Sequence, residues 1–489
     1  MNPPKYKQFI FKDYQFDEKK KVLELHYSMD DTLEFTETFT FDFDFAEYDP
    51  KTLDRAFQNL FFMAGVSYFK TYIPPGIVVR KGKLDQASAE FFSKTYQRGL
   101  GEFWYVNQLD PHTSIIFPVN ATELQMFISR GKGLLASVGG GKDSLLTIEL
   151  LRAYHPQRAL RPPLAAKPPQ PNTKAAGEES LRHSLNHSLS NLQVPLTPSE
   201  QAARQEAREK SQKAKTEYLN TWSLNHKPQL APLVERIGLP HYWVERAWDP
   251  QLLELNKQGA LNGHVPISAI IMCVGTVVAI LAGKRDIVMS NEQSANEPTL
   301  TYQGVAINHQ YSKSQEFEQD YQGLLGRHFG DTIRCYSLLR PFSEVRIAEL
   351  FARTAFDKYK DVFSSCNRAY THDQHSLFWC GECPKCAFIF LAFTPFVAQE
   401  KLETLFHGKN LLKDPALEPL YEKILGIAGD KPLDCVGEVQ ESRAAMVLAQ
   451  QQYPELLKYH FDLPTEYDYR RLWPASMPPE MLRLAVTSA

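Results

Sequence analysis

The chain has 489 residues, 43% hydrophobic and 12% aromatic, enough to bury cores in two or three domains. A formal charge of −3 carries no sign of a general nucleic-acid binder, and nucleic acid is not expected as a partner. The cysteine count of 7 is odd, three of them sit in one short run, and the N-terminus lacks the charged start and apolar core of a secretion signal, so a reducing cytoplasm is the expected setting.

The first hundred residues alternate between polar and apolar positions. Segments 9–11, 22–27 and 33–43 read as antiparallel strands, 53–72 as a helix with an aromatic end, and 87–99 as a second helix. Residues 1–115 are expected to form a separate α+β domain. It closes on Gly101-Glu102-Phe103-Trp104-Tyr105-Val106-Asn107, whose aromatics are expected to pack in the core.

At 134–144 the apolar run Leu134-Leu135-Ala136-Ser137-Val138 breaks into Gly139-Gly140-Gly141, then Lys142-Asp143-Ser144 at the start of a helical pattern over 143–154. Three glycines let backbone N–H groups approach an anion, and the helix start offers positive charge to it. This is a phosphate cradle in which Ser137, Gly139, Gly140, Gly141, Lys142, Asp143 and Ser144 are the candidate nucleotide-binding residues. Lys142 would neutralise phosphate, and Asp143 or Ser144 would hold Mg²⁺. A Walker A loop is excluded, because Ala136 and Asp143 stand where Gly and Ser or Thr are needed.

From 156 to 211 the composition turns to Pro, Ser, Gln, Ala, Lys and Arg with almost no aromatics, and only 198–215 keeps a helical pattern, a solvated one. This is expected to be a disordered or low-complexity insert in a surface crossover, dispensable to the fold.

After it come a strand at 241–246, a long helix at 266–282, a strand at 286–290, a polar loop at 291–311, a helix at 312–325, a strand at 333–339 and a helix at 343–355. Such alternation predicts an α/β fold with a doubly wound parallel sheet over 116–360, with ligands beyond the carboxyl ends of the strands. Segment 265–283 is apolar enough to suggest a membrane span. Its flank Lys284-Arg285-Asp286 runs at once into a β-branched strand, so a buried helix and no membrane are expected.

Two more strand ends draw attention. The polar stretch Ser290-Asn291-Glu292-Gln293-Ser294-Ala295-Asn296-Glu297 leads to Asn308-His309-Gln310-Tyr311-Ser312-Lys313-Ser314, and a functional site is expected there. Arg340 ends a strand, where it could bind phosphate or carboxylate bidentately or make a structural ion pair.

The region 361–489 is expected to be helical and to carry a metal. Cys380-Gly381-Glu382-Cys383-Pro384-Lys385-Cys386 with Cys366 upstream can close a tetrahedral, structural zinc site, with iron–sulfur ligation as the alternative. His372 and His375 are substitute donors for Cys366. Cys273, in the apolar helix, reads as core.

The glycine loop resembles the Ser-Gly-Gly-x-Asp-Ser loop of the PP-loop ATP pyrophosphatases, with Gly139 in place of the first Ser and Ser137 two residues earlier. With the cysteine cluster it is also similar to the 7-cyano-7-deazaguanine synthases. A resemblance over nearly the whole chain is to the ATP-dependent UDP-N-acetylmuramoyl-L-alanyl-L-glutamate epimerases. It is carried by Gly65-Val66-Ser67-Tyr68, Gly99-Leu100-Gly101-Glu102-Phe103, the loop at 137–144, Asn262-Gly263-His264-Val265-Pro266, Met289-Ser290-Asn291-Glu292, Asn308-His309-Gln310-Tyr311-Ser312-Lys313-Ser314 and Trp379-Cys380-Gly381-Glu382-Cys383-Pro384-Lys385-Cys386.

The resemblance implies a fold of the PP-loop type and an AMP- and pyrophosphate-forming epimerisation of the terminal glutamate of the UDP-MurNAc-dipeptide. That reaction belongs to peptidoglycan synthesis, and so to cell-wall biogenesis and cell shape, with the ligases of the same pathway as partners. ATP, Mg²⁺ and zinc would be its cofactors. Proton transfer at Cα would fall to His309 first, then Glu292 and Lys313, with His264 as a further candidate and Asp143 serving adenylation. Arg340 joins the nucleotide-binding set. The alternatives are a nucleobase- or tRNA-modifying ATP pyrophosphatase and a non-catalytic, nucleotide-binding zinc interaction protein.

Overall fold

Nine strands form one mixed sheet in the computed structural model, which describes residues 5–154, 218–371, 373–454, 456, 459 and 468–488. In chain order the strands are β1 (Gln8–Asp17), β2 (Val22–Met29), β3 (Leu33–Asp42), β4 (Gly76–Val79), β5 (Leu134–Ser137), β6 (Leu219–Leu224), β7 (His241–Ala247), β8 (Asp286–Met289), the small hairpin strands β9 (Leu300–Tyr302) and β10 (Val305–Ile307), and β11 (Arg334–Ser337). The large sheet runs β11-β8-β5-β6-β7-β3-β2-β1-β4.

The five strands β11, β8, β5, β6 and β7 are parallel. From β5 the chain builds to one side through β6 and β7, then returns to the other through β8 and β11. The order therefore reverses between β5 and β8, and a crevice opens at the carboxyl ends of those two strands. The glycine loop leaves β5 there, and Ser290-Asn291-Glu292 leaves β8. Composition explains the placement: all four residues of β8 and the first three of β5 are buried, as strands covered on both faces require.

The apolar stretch near 270 is the helix Ile267–Leu281, all but two of whose residues are buried between the sheet and the helix Pro50–Ala64. Fifteen residues span roughly 22 Å, short of a hydrocarbon core of about 30 Å. Among the described residues no helix is long and apolar enough to cross a membrane.

The N-terminal strands do not make a sheet of their own. β3 pairs antiparallel with β7, Thr38–Asp42 against Trp243–Ala247, so the division expected at residue 115 does not interrupt the sheet. Without β3 the edge of β7 would present unpaired backbone groups. The seam is fixed by Arg246 of β7, whose buried guanidinium pairs with buried Glu37 of β3 and donates to Ser67 Oγ at 2.9 Å.

Other expectations shift in detail. The helix at 53–72 breaks at Gly65 into Pro50–Ala64 and Val66–Phe69. The helix expected from 312 starts at Gln315, where Ser314 caps it by accepting from Phe317 N at 3.2 Å, and Tyr311–Lys313 forms a 3-10 turn instead. The polar loop contains the β9–β10 hairpin, turning through Gln303 and Gly304 at φ +47° and +80°. The C-terminal region is helical, with Pro384–Phe393 and Val439–Gln450 packed together. The insert at 156–211 and the pattern at 198–215 lie outside the described residues.

Candidate active site

A cavity of about 530 Å³ occupies the crevice between β5 and β8, and Ser137, Gly139, Gly141, Asp143, Ser144, Glu292 and Lys313 all line it. Residues nearly 180 positions apart in sequence thus face one space. The glycine loop is held from behind: Ser364 N donates to Gly140 O at 3.1 Å, and the Tyr370 hydroxyl donates to Gly139 O at 2.9 Å. Gly140 has φ +84°, and a Cβ there would lie 1.9 Å from the Tyr370 hydroxyl, so only glycine fits.

Lys142 corrects an expectation. Its side chain is 1% exposed and does not line the cavity; the ammonium sits 2.5 Å from Asp143 Oδ1 and pairs with Glu344. Burial works against its charge, but Asp143 and Glu344 outweigh it and raise its pKa. The Glu344 carboxyl, which burial would raise, is held below the usual range by Lys142 and Lys385. Lys142 therefore braces the start of the helix Lys142–Ala153 and fixes Asp143, which does face the cavity.

Arg340 takes the ion-pair alternative. Its guanidinium is fully buried and is committed to Glu292 O at 2.5 Å, Lys313 O at 2.6 Å and Glu318 Oε2 at 3.0 Å. No part of it lines the cavity, so it is a clamp holding both polar loops rather than a phosphate ligand. Glu292, on one clamped loop, makes no ion pair within 4 Å among the described residues. Burial and nearby Glu344 raise its carboxyl to about 7.

His309 stands behind the wall of the cavity. Its Nδ1 hydrogen-bonds Glu102, and its Nε2 lies 4.0 Å from Cys435 Sγ. The His264 ring packs on it with centroids 4.8 Å apart, so three separated motifs converge here. Burial disfavours the charged form of His309, but Cys435 and Glu102 outweigh that and raise it to about 9. Burial and His309 lower His264 to about 4. The residue that reaches the cavity is Cys435, with Lys313 Nζ 3.1 Å from its sulfur and Lys385 bonded to its carbonyl oxygen. Neither period nor motif marked Cys435, or the roles of Glu344, Glu318 and Lys385; only its being one of the 7 cysteines could have flagged it.

The other cysteine group is the expected one. Cys366 Sγ lies 3.8 Å from Cys383 Sγ and Cys380 Sγ 3.7 Å from Cys386 Sγ, and all four sulfurs fall within 4.8 Å of one another. Four thiolates bonded to one ion at about 2.3 Å stand about 3.8 Å apart, so the set fits a single tetrahedral metal. Gly381, at φ +72°, makes the turn between Cys380 and Cys383. Cys366 brings the fourth sulfur to the group, and His375 is not part of it; His372 lies outside the described residues. Ser364 and Ser365, next to Cys366, back the glycine loop, so this cluster is tied to the cavity through two residues.

The MurL N-terminal domain family matches residues 1–178 and 209–338, and the MurL C-terminal domain family matches 362–457. Residues 179–208, inside the insert, fall between the matched parts. A UDP-N-acetyl-alpha-D-muramoyl-L-alanyl-L-glutamate epimerase of Xanthomonas oryzae pv. oryzae is 34% identical over 447 residues, 90% of this chain and 85% of that one. The protein of the same name from Salinispora tropica is 34% identical over 454 residues, 91% of this chain and 85% of its own. One from a Micromonospora species is 35% identical over 405 residues, 82% and 76% of the two chains. No solved structure matches the chain.

Proposed function

We infer that this chain, which belongs to the MurL family, epimerises the terminal L-glutamate of UDP-MurNAc-L-Ala-L-Glu to the D form in peptidoglycan synthesis, using ATP and releasing AMP and pyrophosphate. The observation that carries this reading is the sharing of one cavity by the glycine loop and by Glu292 and Lys313. The loop's likeness to that of the PP-loop ATP pyrophosphatases supports cleavage between the α- and β-phosphates.

The chemistry needs ATP for a definite reason. A carboxylate resists loss of its α-proton, because a second negative charge would build on an anionic group. Adenylation of the α-carboxylate removes that charge and turns the carbonyl into an electron sink, so an ordinary side chain can take the Cα proton. Backbone N–H groups of the loop receive the phosphates, and Lys313 answers the substrate carboxylate. Asp143 and Ser144 are the residues that would hold Mg²⁺, which supplies charge neutralisation on the phosphates when bound. Cys366, Cys380, Cys383 and Cys386 would hold a structural Zn²⁺; their close spacing suits one ion better than a multi-iron cluster.

The test is incubation with ATP, Mg²⁺ and UDP-MurNAc-L-Ala-L-Glu, followed by chiral analysis of the glutamate released on hydrolysis and by nucleotide chromatography. D-glutamate with AMP in step is expected. Formation of ADP, or AMP without any D-glutamate, overturns the reading.

A further inference from the structure

Glu102, His309 and Cys435 form a chain that ends in the cavity. His309 bonds Glu102 through Nδ1 and faces Cys435 through Nε2, so both ring nitrogens are engaged and the ring itself does not line the cavity. An acid orienting an imidazole that in turn faces a thiol is the arrangement by which a thiol is ionised. Cys435 has a second cation at its sulfur, the Lys313 ammonium at 3.1 Å. Lys385 approaches from the helix Pro384–Phe393. Burial alone would raise this thiol; Lys313, His309 and Lys385 together outweigh it and bring it down to about 6.

We propose that Cys435 is the catalytic base that takes the Cα proton on one face of the activated glutamyl residue, as a thiolate kept by Lys313 and His309. The proposal rests on the epimerase reading above. The Cα–H bond breaks, its proton passes to Cys435 Sγ, and its electron pair moves into the carbonyl of the adenylated carboxyl group. Glu292, which lines the same cavity, returns a proton to the opposite face. Water then cleaves the acyl–phosphate linkage to release AMP and the D-epimer, and proton exchange with solvent restores the thiolate and the carboxylic acid. His309 and Glu102 are positioning residues here: they act on the sulfur, not on substrate.

Two measurements on the full chain decide it. In the first, iodoacetamide labelling of the Cys435 peptide is followed by mass spectrometry across pH, in wild type and His309→Asn. Wild type should react well below the range of an ordinary thiol, about 8.5, and His309→Asn should shift the profile up toward it. A wild-type profile like that of an ordinary thiol overturns the proposal. In the second, Cys435→Ala and Cys435→Ser are given ATP, Mg²⁺ and UDP-MurNAc-L-Ala-L-Glu in D₂O. Deuterium entry at Cα should fall by ~10²–10⁴-fold while ATP–pyrophosphate exchange persists, which also reports that the variants are folded. Deuterium entry at the wild-type rate in both variants removes Cys435 from the reaction while leaving the epimerase reading intact. A wild-type chain inert toward this dipeptide and ATP refutes that reading and this role together.

Discussion

Arg340 and Glu318 form an ion pair at 3.0 Å in which the side chains are 0% and 1% exposed. The same guanidinium donates to the backbone carbonyls of Glu292 and Lys313, so one buried pair sets the positions of two cavity loops. Arg340→Met strands the Glu318 carboxylate in the interior and should cost ~3–5 kcal/mol of stability. Arg340→Lys should rescue little, because an ammonium cannot present the planar fork that reaches three acceptors. Urea denaturation measures both; a stability within about 1 kcal/mol of wild type for Arg340→Met would show that the clamp carries no weight.

The glycine loop allows a paired test. Gly140→Ala meets both a left-handed φ and the Tyr370 hydroxyl, whereas a Cβ at Gly139 has nothing within 4 Å. Gly139→Ser therefore introduces a serine at no steric cost, as in the loop this segment resembles. ATP binding measured by calorimetry should be retained in Gly139→Ser and fall at least tenfold in Gly140→Ala. Equal affinity in the two variants would separate the loop from nucleotide binding.

These residues also mark how far the sequence could be read. The glycine loop, the cysteine cluster and the parallel strands were legible because each has a local signature: a small-residue turn before a helix, closely spaced thiols, a buried β-branched run. The pairing of β3 with β7 has none, since either edge could have been covered by another segment. β6 escaped because its Asn220, Thr221 and Ser223 are polar yet buried; Asn220 donates to Tyr242, and Thr221 and Ser223 bond His241, in contacts that no spacing announces. Lys142 was assigned to phosphate from its place in the glycine loop, and Arg340 from its place at a strand end, with an ion pair as the alternative. Their true partners, Glu344 and Glu318, lie 202 and 22 positions away, and only folding shows that those carboxylates arrive first.

The cysteine cluster should matter to the nucleotide. Ser364 bonds the loop at Gly140 and Cys366 lies two residues on, so loss of the ion should loosen the loop as well as the C-terminal helices. Elemental analysis is expected to find about one zinc per chain, and Cys386→Ser, with its buried ligand gone, should lose the metal and lower the unfolding temperature. Dialysis against a strong chelator should weaken ATP binding in step with zinc loss. ATP affinity indifferent to metal content would confine the cluster to the C-terminal helices, and broad absorbance in the visible would point to iron–sulfur ligation instead.

Two buried histidines should make the fold lose stability in acid. His241 hydrogen-bonds Thr221 Oγ1 at 2.8 Å and Ser223 Oγ at 3.0 Å, and burial with nearby Lys227 holds it down to about 3. His328 lies 3.1 Å from Asn59 Nδ2 and 3.3 Å from Ser88 Oγ, and burial with Arg55 and Arg327 holds it to about 3 as well. Both are uncharged in the folded chain, whereas in the unfolded chain they take up protons near 6.5. The unfolded state then binds more protons, so stability present above 6.5 is lost progressively as pH falls from there toward 3. His309, raised to about 9, loses its contribution as pH rises from 6.5 through 9, but its partner Cys435, lowered to about 6, gains one over the same range, so the pair adds little alkaline loss of its own. Urea unfolding across pH 4.5 to 9 checks the acid loss, and His241→Asn with His328→Asn should flatten that limb. An acid limb as steep in the double variant as in wild type would assign the loss to other groups.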